Sequence, residues 1–340
     1  MHMLSYIIRR LVLLIWVLVG LSIITFALAR VVPSDPAASY IGPHARPEQV
    51  AKVRAKLGLN KPLYMQYAYY MRDLLHGDLG ISIRTHRPVL RGIIDHLPAS
   101  LELMFTAVFI ALIIGIPLGV ISAQKENTLI DHMSRLYAVA DVSLPAFWLG
   151  MIFQLLFFRW LGILPLGGRI DIYTTLSHPI EHLTGFYVLD SLITGNWLAL
   201  KSSILHLILP ALALAAYSTG LIMRMTRSTM LEVLREDYIT TARSAGLHEG
   251  KIMFKYALKN ALAPTLTVAA LAFAFMLTGT FFIEAIFYWP GLGTYTVTAL
   301  LQNDYPVIMG ITLLMSIFYV LINLVVDLLL AFADPRVRLG

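Results

Sequence analysis

Apolar positions in this chain come in long uncharged runs, too long to be the buried stripe of a soluble helix. A helix needs roughly 20 apolar residues to cross about 30 Å of hydrocarbon. Six runs meet that length: residues 11–29, 103–123, 142–158, 202–223, 261–283 and 307–326. The third extends back to Leu136 across Asp141, the fourth holds His206 and Pro210, the fifth has Pro264 in its first turn, and the last continues past Asp327 to Ala333. Residues 285–303 are also uncharged, but their centre is Trp289-Pro290-Gly291-Leu292-Gly293. A Pro-Gly-x-Gly centre leaves backbone groups unpaired, which lipid does not tolerate. That stretch is therefore predicted to be interfacial or re-entrant and buried against protein. Arg9-Arg10 followed by an apolar run and Ala27-Leu28-Ala29 has the outline of a secretory signal. Signal cores run about 7–15 residues, shorter than this one, so a retained first span is predicted.

Composition agrees with a membrane protein. Of 340 residues 58% are hydrophobic and 14% charged, against about 25% charged in soluble domains. A soluble chain so poor in charge would expose large apolar patches. An ordinary cytosolic enzyme, a disordered chain and a nucleic-acid binder are thereby excluded, and 22 Gly with 16 Pro do not indicate low complexity. The absence of Cys removes disulfides, thiolate metal sites and Cys nucleophiles. The net charge of +6 is read first as orientation. With the N-terminus inside, residues 1–10, 124–135, 224–259 and 334–340 are cytoplasmic and hold 13 Lys and Arg. The outer segments 159–201 and 284–306 together hold 3. Residues 30–102 exceed the loops of roughly 60 residues to which the positive-inside rule applies. Both termini are thus predicted to be cytoplasmic.

Between the runs the chain is patterned. In the long outer segment, Pro47-Glu48 opens a helix-like stretch through Lys56, and residues 62–75 form a second, rich in Tyr (Tyr64, Tyr67, Tyr69, Tyr70). Those tyrosines suit an interfacial belt with local packing, or contact with a ligand. Gly77-Asp78-Leu79-Gly80 reads as a turn, and Arg84, Arg87 and Arg91 follow it as candidate outer contacts. The other outer loop, 160–201, carries Gly162, Pro165, Gly167-Gly168 and an amphipathic piece around Trp197. In the cytoplasmic loop 224–259, Met223, Met230, Leu231 and Leu234 carry the fourth helix past the membrane. Residues 238–245 form a short helix, and Gly246 occupies the left-handed position that ends one. Helix, short helix, turn, helix is the pattern of a loop built to be touched.

Candidate chemistry is mostly excluded. Gly246–Lys251 imitates a phosphate loop, but only three residues separate its glycines and Ile252 follows the Lys, where four residues and a Ser or Thr are needed. His178 and His182 would share one metal only if helical. No Gly-x-Ser-x-Gly elbow occurs. Asp141 and Asp327, near the cytoplasmic ends of their runs, are candidate gating or structural carboxylates, because ionisable groups in spans are costly. Gly115, Gly119 and Gly150, with Pro117 and Pro145, mark close helix packing or bends.

Several motifs together carry a resemblance. Pro33-Ser34-Asp35-Pro36, Leu57-Gly58-Leu59-Asn60-Lys61-Pro62-Leu63, Gln66-Tyr67, Gly77-Asp78-Leu79-Gly80-Ile81-Ser82, the Trp289–Gly293 segment, Asp304-Tyr305-Pro306-Val307-Ile308, Asn323, Asp327 and Asp334-Pro335-Arg336-Val337-Arg338 span nearly the whole chain. They resemble the integral-membrane permease subunits of bacterial ABC importers for dipeptides, oligopeptides and nickel. The loop before Gly246 is similar to the "EAA" loop of such permeases, with Thr240, Thr241 and Ala242 at the Glu-Ala-Ala positions, so the Glu is missing. The resemblance implies an all-α, six-span type I ABC importer permease fold of the bacterial inner membrane. It would comprise a cytoplasmic start and first helix (1–30), an extracytoplasmic segment (31–98), a five-helix core (99–333) and a cytoplasmic tail (334–340). It further implies a second homologous permease, two ATPase subunits carrying ATP and Mg, and an extracytoplasmic substrate-binding protein as partners. Asp237, Tyr238, Thr240, Thr241, Ala242 and Gly246 would couple to the ATPases, and Arg84, Arg87 and Arg91 would dock the binding protein. No cofactor is expected in this chain. Short peptides are the expected cargo, with nickel or a metal chelate as the alternative. An ion-coupled secondary transporter is the alternative of another class, although no internal repeat suggests one.

Overall fold

A computed structural model describes residues 3–31, 46–56 and 58–333. The regular elements among them are helical, and one antiparallel bridge joins Ile81 and Pro88. In chain order they are α1 (Met3–Val31), α2 (Pro47–Lys56), α3 (Leu63–Leu75), α4 (Val89–Gln124), α5 (Leu129–Ser143), α6 (Ala146–Phe153) with a π-helical continuation Gln154–Trp160, α7 (Ile172–Ser177), α8 (Tyr187–Ile193) and α9 (Trp197–Val233). The remainder are α10 (Asp237–Ser244), α11 (Glu249–Lys251) with a π-helical segment Ile252–Ala257, α12 (Leu258–Ile286), α13 (Leu292–Leu301) and α14 (Tyr305–Ala333). Four helices are long and apolar enough to cross a membrane among the described residues, and the bent α5–α6 pair is a fifth candidate. The first predicted run falls on α1, whose described apolar stretch is Val12–Ala27. The Pro33–Pro36 motif and the Asp334–Arg338 motif lie outside the described residues.

Prolines divide the outcomes. Pro117, Pro210 and Pro264 sit inside continuous helices. Pro145 does not: Leu144 before it is extended (φ −95°, ψ 132°), and α5 and α6 meet at 106°. A residue preceding proline is pushed out of the α region by the ring. The third run, 142–158, with Pro145 marked as a bend or close-packing position, is therefore a broken element. The 285–303 stretch, predicted not to span, is interrupted after Ile286. Tyr288 takes a positive φ of 51°, and α13 has only 10 residues, about 15 Å of helix. Trp197, expected in a separate amphipathic piece, instead opens α9. Asn196 caps that helix by accepting from the Ala199 amide at 3.2 Å.

The chain forms two compact units, residues 1–98 with 291–321, and 99–290 with 322–340. In the first, Val89 and Ile93 of α4, Leu292 and Ala299 of α13, and Val307 and Ile311 of α14 form a buried cluster. Helices α2 and α3 stand where they were expected. Phe26 of α1 packs on Tyr67 and Tyr70, and Tyr67 Oη meets Ser22 Oγ at 2.9 Å. Tyr69 instead takes Lys61 Nζ at 3.0 Å, and Tyr64 is exposed. The turn 77–80 uses positive φ at Gly77 and Gly80. In the second unit α9 is central and packs on α12, α5, α6 and α8. Its small residues Ala211, Ala213, Ala215, Ala216, Ser218, Thr219 and Gly220 are buried. Small side chains let membrane helices approach closely. A Cβ added at Gly119 of α4 would stand 2.8 Å from the Met223 carbonyl oxygen and 2.6 Å from Thr226 Cβ, and one at Gly115 would stand 2.9 Å from Ile222 Cγ2.

Candidate coupling site

The loop 224–259 holds a short helix pinned on one side. In α10, Ile239 and Ala242 are buried, three residues apart and hence on one face. They belong to a cluster with Val120 and Ala123 at the end of α4, Met230 near the end of α9, and Ile252, Met253, Ala257 and Ala261 leading into α12. The opposite face, Asp237, Tyr238, Thr240, Thr241, Arg243 and Ser244, is exposed. Of the residues expected to couple, Ala242 thus anchors the helix, while the others except Gly246 present its outer surface. Tyr238 Oη accepts from Asn260 Nδ2 at 2.6 Å, and Arg243 pairs with Glu249 at 2.9 Å.

The C-terminus of α10 is closed by backbone geometry. Gly246 has φ +76°, its amide donates to the Arg243 carbonyl at 2.9 Å, and the Leu247 amide donates to the Ala242 carbonyl at 3.2 Å. This is the Schellman pattern. Its accompanying apolar contact is present too, since Leu247 packs against the cluster holding Ala242. Among the described residues, a Cβ on Gly246 would meet nothing within 4 Å. The glycine is thus required by its dihedral angle, not by crowding.

Ionisable groups lie elsewhere. Asp141 is buried on α5 and accepts from the Gly220 amide of α9 at 3.1 Å. Asp327 lies on α14, with its side chain outside the described residues. Arg84, Arg87 and Arg91 are exposed. The loop carrying Arg84 is held from beneath by the buried Asp304 carboxylate, which accepts from Ser82 Oγ at 2.5 Å, the Ile83 amide at 3.1 Å and the Arg84 amide at 3.3 Å. Because α7 stops at Ser177, His178 and His182 share no helical face. His182 lies against the Tyr187 ring instead.

Two buried polar junctions were not expected. In one, Glu102 of α4 receives Arg169 Nε at 3.0 Å, Arg169 Nη2 at 2.5 Å and the Val188 amide at 2.8 Å. Arg169 also donates to the Gly185 carbonyl at 2.6 Å and lies 3.7 Å from the centre of the Tyr187 ring. Nearby in the chain, Asp190 is fully buried. Burial pushes its carboxyl up, but hydrogen bonds from the Thr184 hydroxyl and amide and from the Gly185 and Leu183 amides outweigh this and hold it below the ordinary value. Ser100 donates to Glu284 at 2.6 Å and Trp289 Nε1 to the Ala99 carbonyl at 2.8 Å. In the other junction Asp131 of α5 joins Ser122 of α4 and Arg227 of α9. Ser122 and Arg227 lack any spacing signal, because their partner lies on another helix.

Helix α10 is thus tied to three others by its inner face and exposes a polar outer face. Comparison with known proteins identifies the class. The family model described as "Binding-protein-dependent transport system inner membrane component" matches residues 115–339, and that for the N-terminal part of such components matches residues 3–104. The chain belongs to this permease family. The probable D,D-dipeptide transport system permease protein DdpB of Escherichia coli (strain K12) is 47% identical over 96% of this chain and 95% of its own length. The dipeptide transport system permease protein DppB of Alkalihalophilus pseudofirmus is 45% identical over 99% of this chain and 100% of its own. The oligopeptide transport system permease protein AppB of Bacillus subtilis is 37% identical over 99% of this chain and 100% of its own. The permease is thus a multi-pass membrane protein of the ABC importer class.

Proposed function

We propose that this permease forms half of the translocation path of an ATP-driven importer of dipeptides or short oligopeptides. A second homologous permease forms the other half, two ATPase subunits bind Mg-ATP on the cytoplasmic side, and an extracytoplasmic binding protein delivers the peptide. The chain crosses the inner membrane six times, with both termini cytoplasmic and residues 31–98 outside. Peptide cargo is supported by relatives named for dipeptide and oligopeptide transport, similar over nearly their full lengths.

The observation that carries the coupling assignment is α10 itself. Ile239 and Ala242 are locked among the ends of α4, α9 and α12, while Thr240 and Thr241 face outward. Closure of the ATPase pair against that face moves the three membrane helices as packed bodies, with access alternating between the two sides. Asp237, Tyr238, Thr240 and Thr241 touch the ATPase, and Gly246 fixes the end of the helix. Asp141 and Asp327 hold helix positions along the path, and the exposed Arg84, Arg87 and Arg91 meet the binding protein.

The test uses the absence of cysteine in the chain. A single Thr241→Cys change gives one site for a thiol cross-linker. With the partner subunits reconstituted in vesicles, the cross-link should capture an ATPase subunit, and radiolabelled dialanine uptake should require ATP. Uptake by this chain alone under an ion gradient would refute the assignment.

A further inference from the structure

We infer that Asp131 is a positioning residue for energy coupling, acting through the seat of α10. The proposal rests on the coupling reading above. Asp131 stands in the first turn of α5, and its side chain is 0% exposed. Its Oδ1 accepts from Ser122 Oγ of α4 at 2.7 Å and from Arg227 Nε of α9 at 2.6 Å. Its Oδ2 accepts from Arg227 Nη2 at 2.9 Å and from the Asn127 amide at 3.0 Å, the latter in the α4–α5 turn where Asn127 takes φ +61°. Arg135 Nε stands 3.7 Å away on the same helix. One carboxylate thereby joins α4, the turn, α5 and α9, and its paired oxygens fit the planar guanidinium fork of Arg227.

The same two helices seat α10. Ser122 lies between Val120 and Ala123, and Arg227 lies one helical turn before Met230; all three of those apolar residues belong to the cluster that buries Ile239 and Ala242. A second link runs from the α4–α5 turn to the approach of α10, where Glu126 and Arg235 are 3.5 Å apart. Stability alone does not call for such a junction. Desolvation offsets most of the attraction in a buried ion pair, and packed apolar groups of equal volume commonly serve as well or better. A carboxylate with four converging donors does fix direction: it permits one relative setting of α4 and α9. If α4 and α9 slide independently, motion of α10 dissipates in the seat instead of moving the helices together.

Asp131→Asn keeps the volume and the Ser122 bond but removes the charge that fixes Arg227. Arg227→Lys keeps the charge but loses the two-pronged geometry. Both are read in the complete reconstituted complex, as dialanine transported per ATP hydrolysed, alongside complex yield and Thr241→Cys cross-linking. The expected result for D131N is intact docking and ATP hydrolysis with the transport ratio down about fivefold or more, the scale of ordinary coupling free energies, and a smaller fall for R227K. A purely structural role would lower yield or thermal stability while leaving the ratio unchanged in the complexes that survive, and that result would overturn the proposal. If D131N does not assemble, an unchanged ratio in R227K overturns it equally. Failure of Thr241→Cys to capture the ATPase in the otherwise unaltered complex would instead overturn the coupling reading, and the proposal with it.

Discussion

Gly119→Ala sets two physical effects against each other with opposite signs. In a helix interior, replacing glycine by alanine is favourable by about 1 kcal/mol through backbone entropy. At Gly119 the new methyl would stand 2.8 Å from the Met223 carbonyl oxygen and 2.6 Å from Thr226 Cβ, where carbon atoms pack best at about 3.5–4.0 Å. The nearest obstacle includes helix backbone, so no rotamer change relieves it, and α4 and α9 must part by about 1 Å. A gap of that size forfeits a quarter to a half of each dispersion contact along the crossing, and overpacking of this kind costs about 1–3 kcal/mol. The carbonyl contact argues for the upper half of that range, so a net loss of about 1–2 kcal/mol follows. Gly279→Ala is the counterpart. There, among the described residues, the neighbour within 4 Å is Leu214 Cδ1 at an ordinary 3.5 Å, so the propensity gain stands and stability rises by about 0.5–1 kcal/mol. Both variants are compared with the parent chain by reversible unfolding in mixed detergent micelles, followed by tryptophan fluorescence. A Gly119→Ala chain as stable as the parent would refute the close-crossing argument. Destabilisation of similar size at Gly279 would show that the method reads something other than packing.

Three further outcomes are expected. Arg169→Met leaves Glu102 buried without its partner and should cost about 3–5 kcal/mol, read as the loss of thermal stability of the purified chain; a loss below about 1 kcal/mol would place the pair in solvent. Gly246→Ala must hold a side chain at φ +76°, a strain of about 1–2 kcal/mol, so the end of α10 frays and ATPase binding weakens several-fold, while Gly246→Asn, a residue tolerant of that region, should weaken it less; equal binding by all three chains would contradict this. Asp190 titrates below its ordinary value of 3.8 when folded, so it adds stability above pH 3.8 that is lost as pH falls through the lower folded value. Proteolysis of the 160–201 loop should therefore rise with acidification, and Asp190→Asn should flatten that dependence.

The parts of the molecule legible in the sequence are those that depend on one stretch of chain. Uncharged length located the long helices, and proline and glycine turns located α2, α3 and the 77–80 turn. Gly246 was readable because a left-handed residue is a local demand. Pro145 was readable as a bend, but the apolar character of 142–158 hid how far the backbone turns there, since hydropathy carries no direction. Ile239 and Ala242, three apart among polar neighbours, already mark the inner face of α10, so Ala242, at a motif position expected to make contact, is buried instead. The polar junctions were not legible. Glu102 and Arg169 are 67 positions apart and Asp131 and Arg227 are 96 apart, and which loop residue meets which helix is decided by packing that no single stretch encodes. The pair Gly115 and Gly119 announced a close approach, but not that α9 supplies the other side.

The backbone closure of α10 has a bearing on how such importers diversify. Its C-terminal end and its inner face are held by main-chain bonds and buried apolar groups, so the exposed Thr240 and Thr241 contribute little to keeping the helix folded. On the coupling proposed above, those positions are free to change as a motor protein changes, and a duplicated gene can acquire a different ATPase by surface substitution alone, without passing through an unstable ancestor.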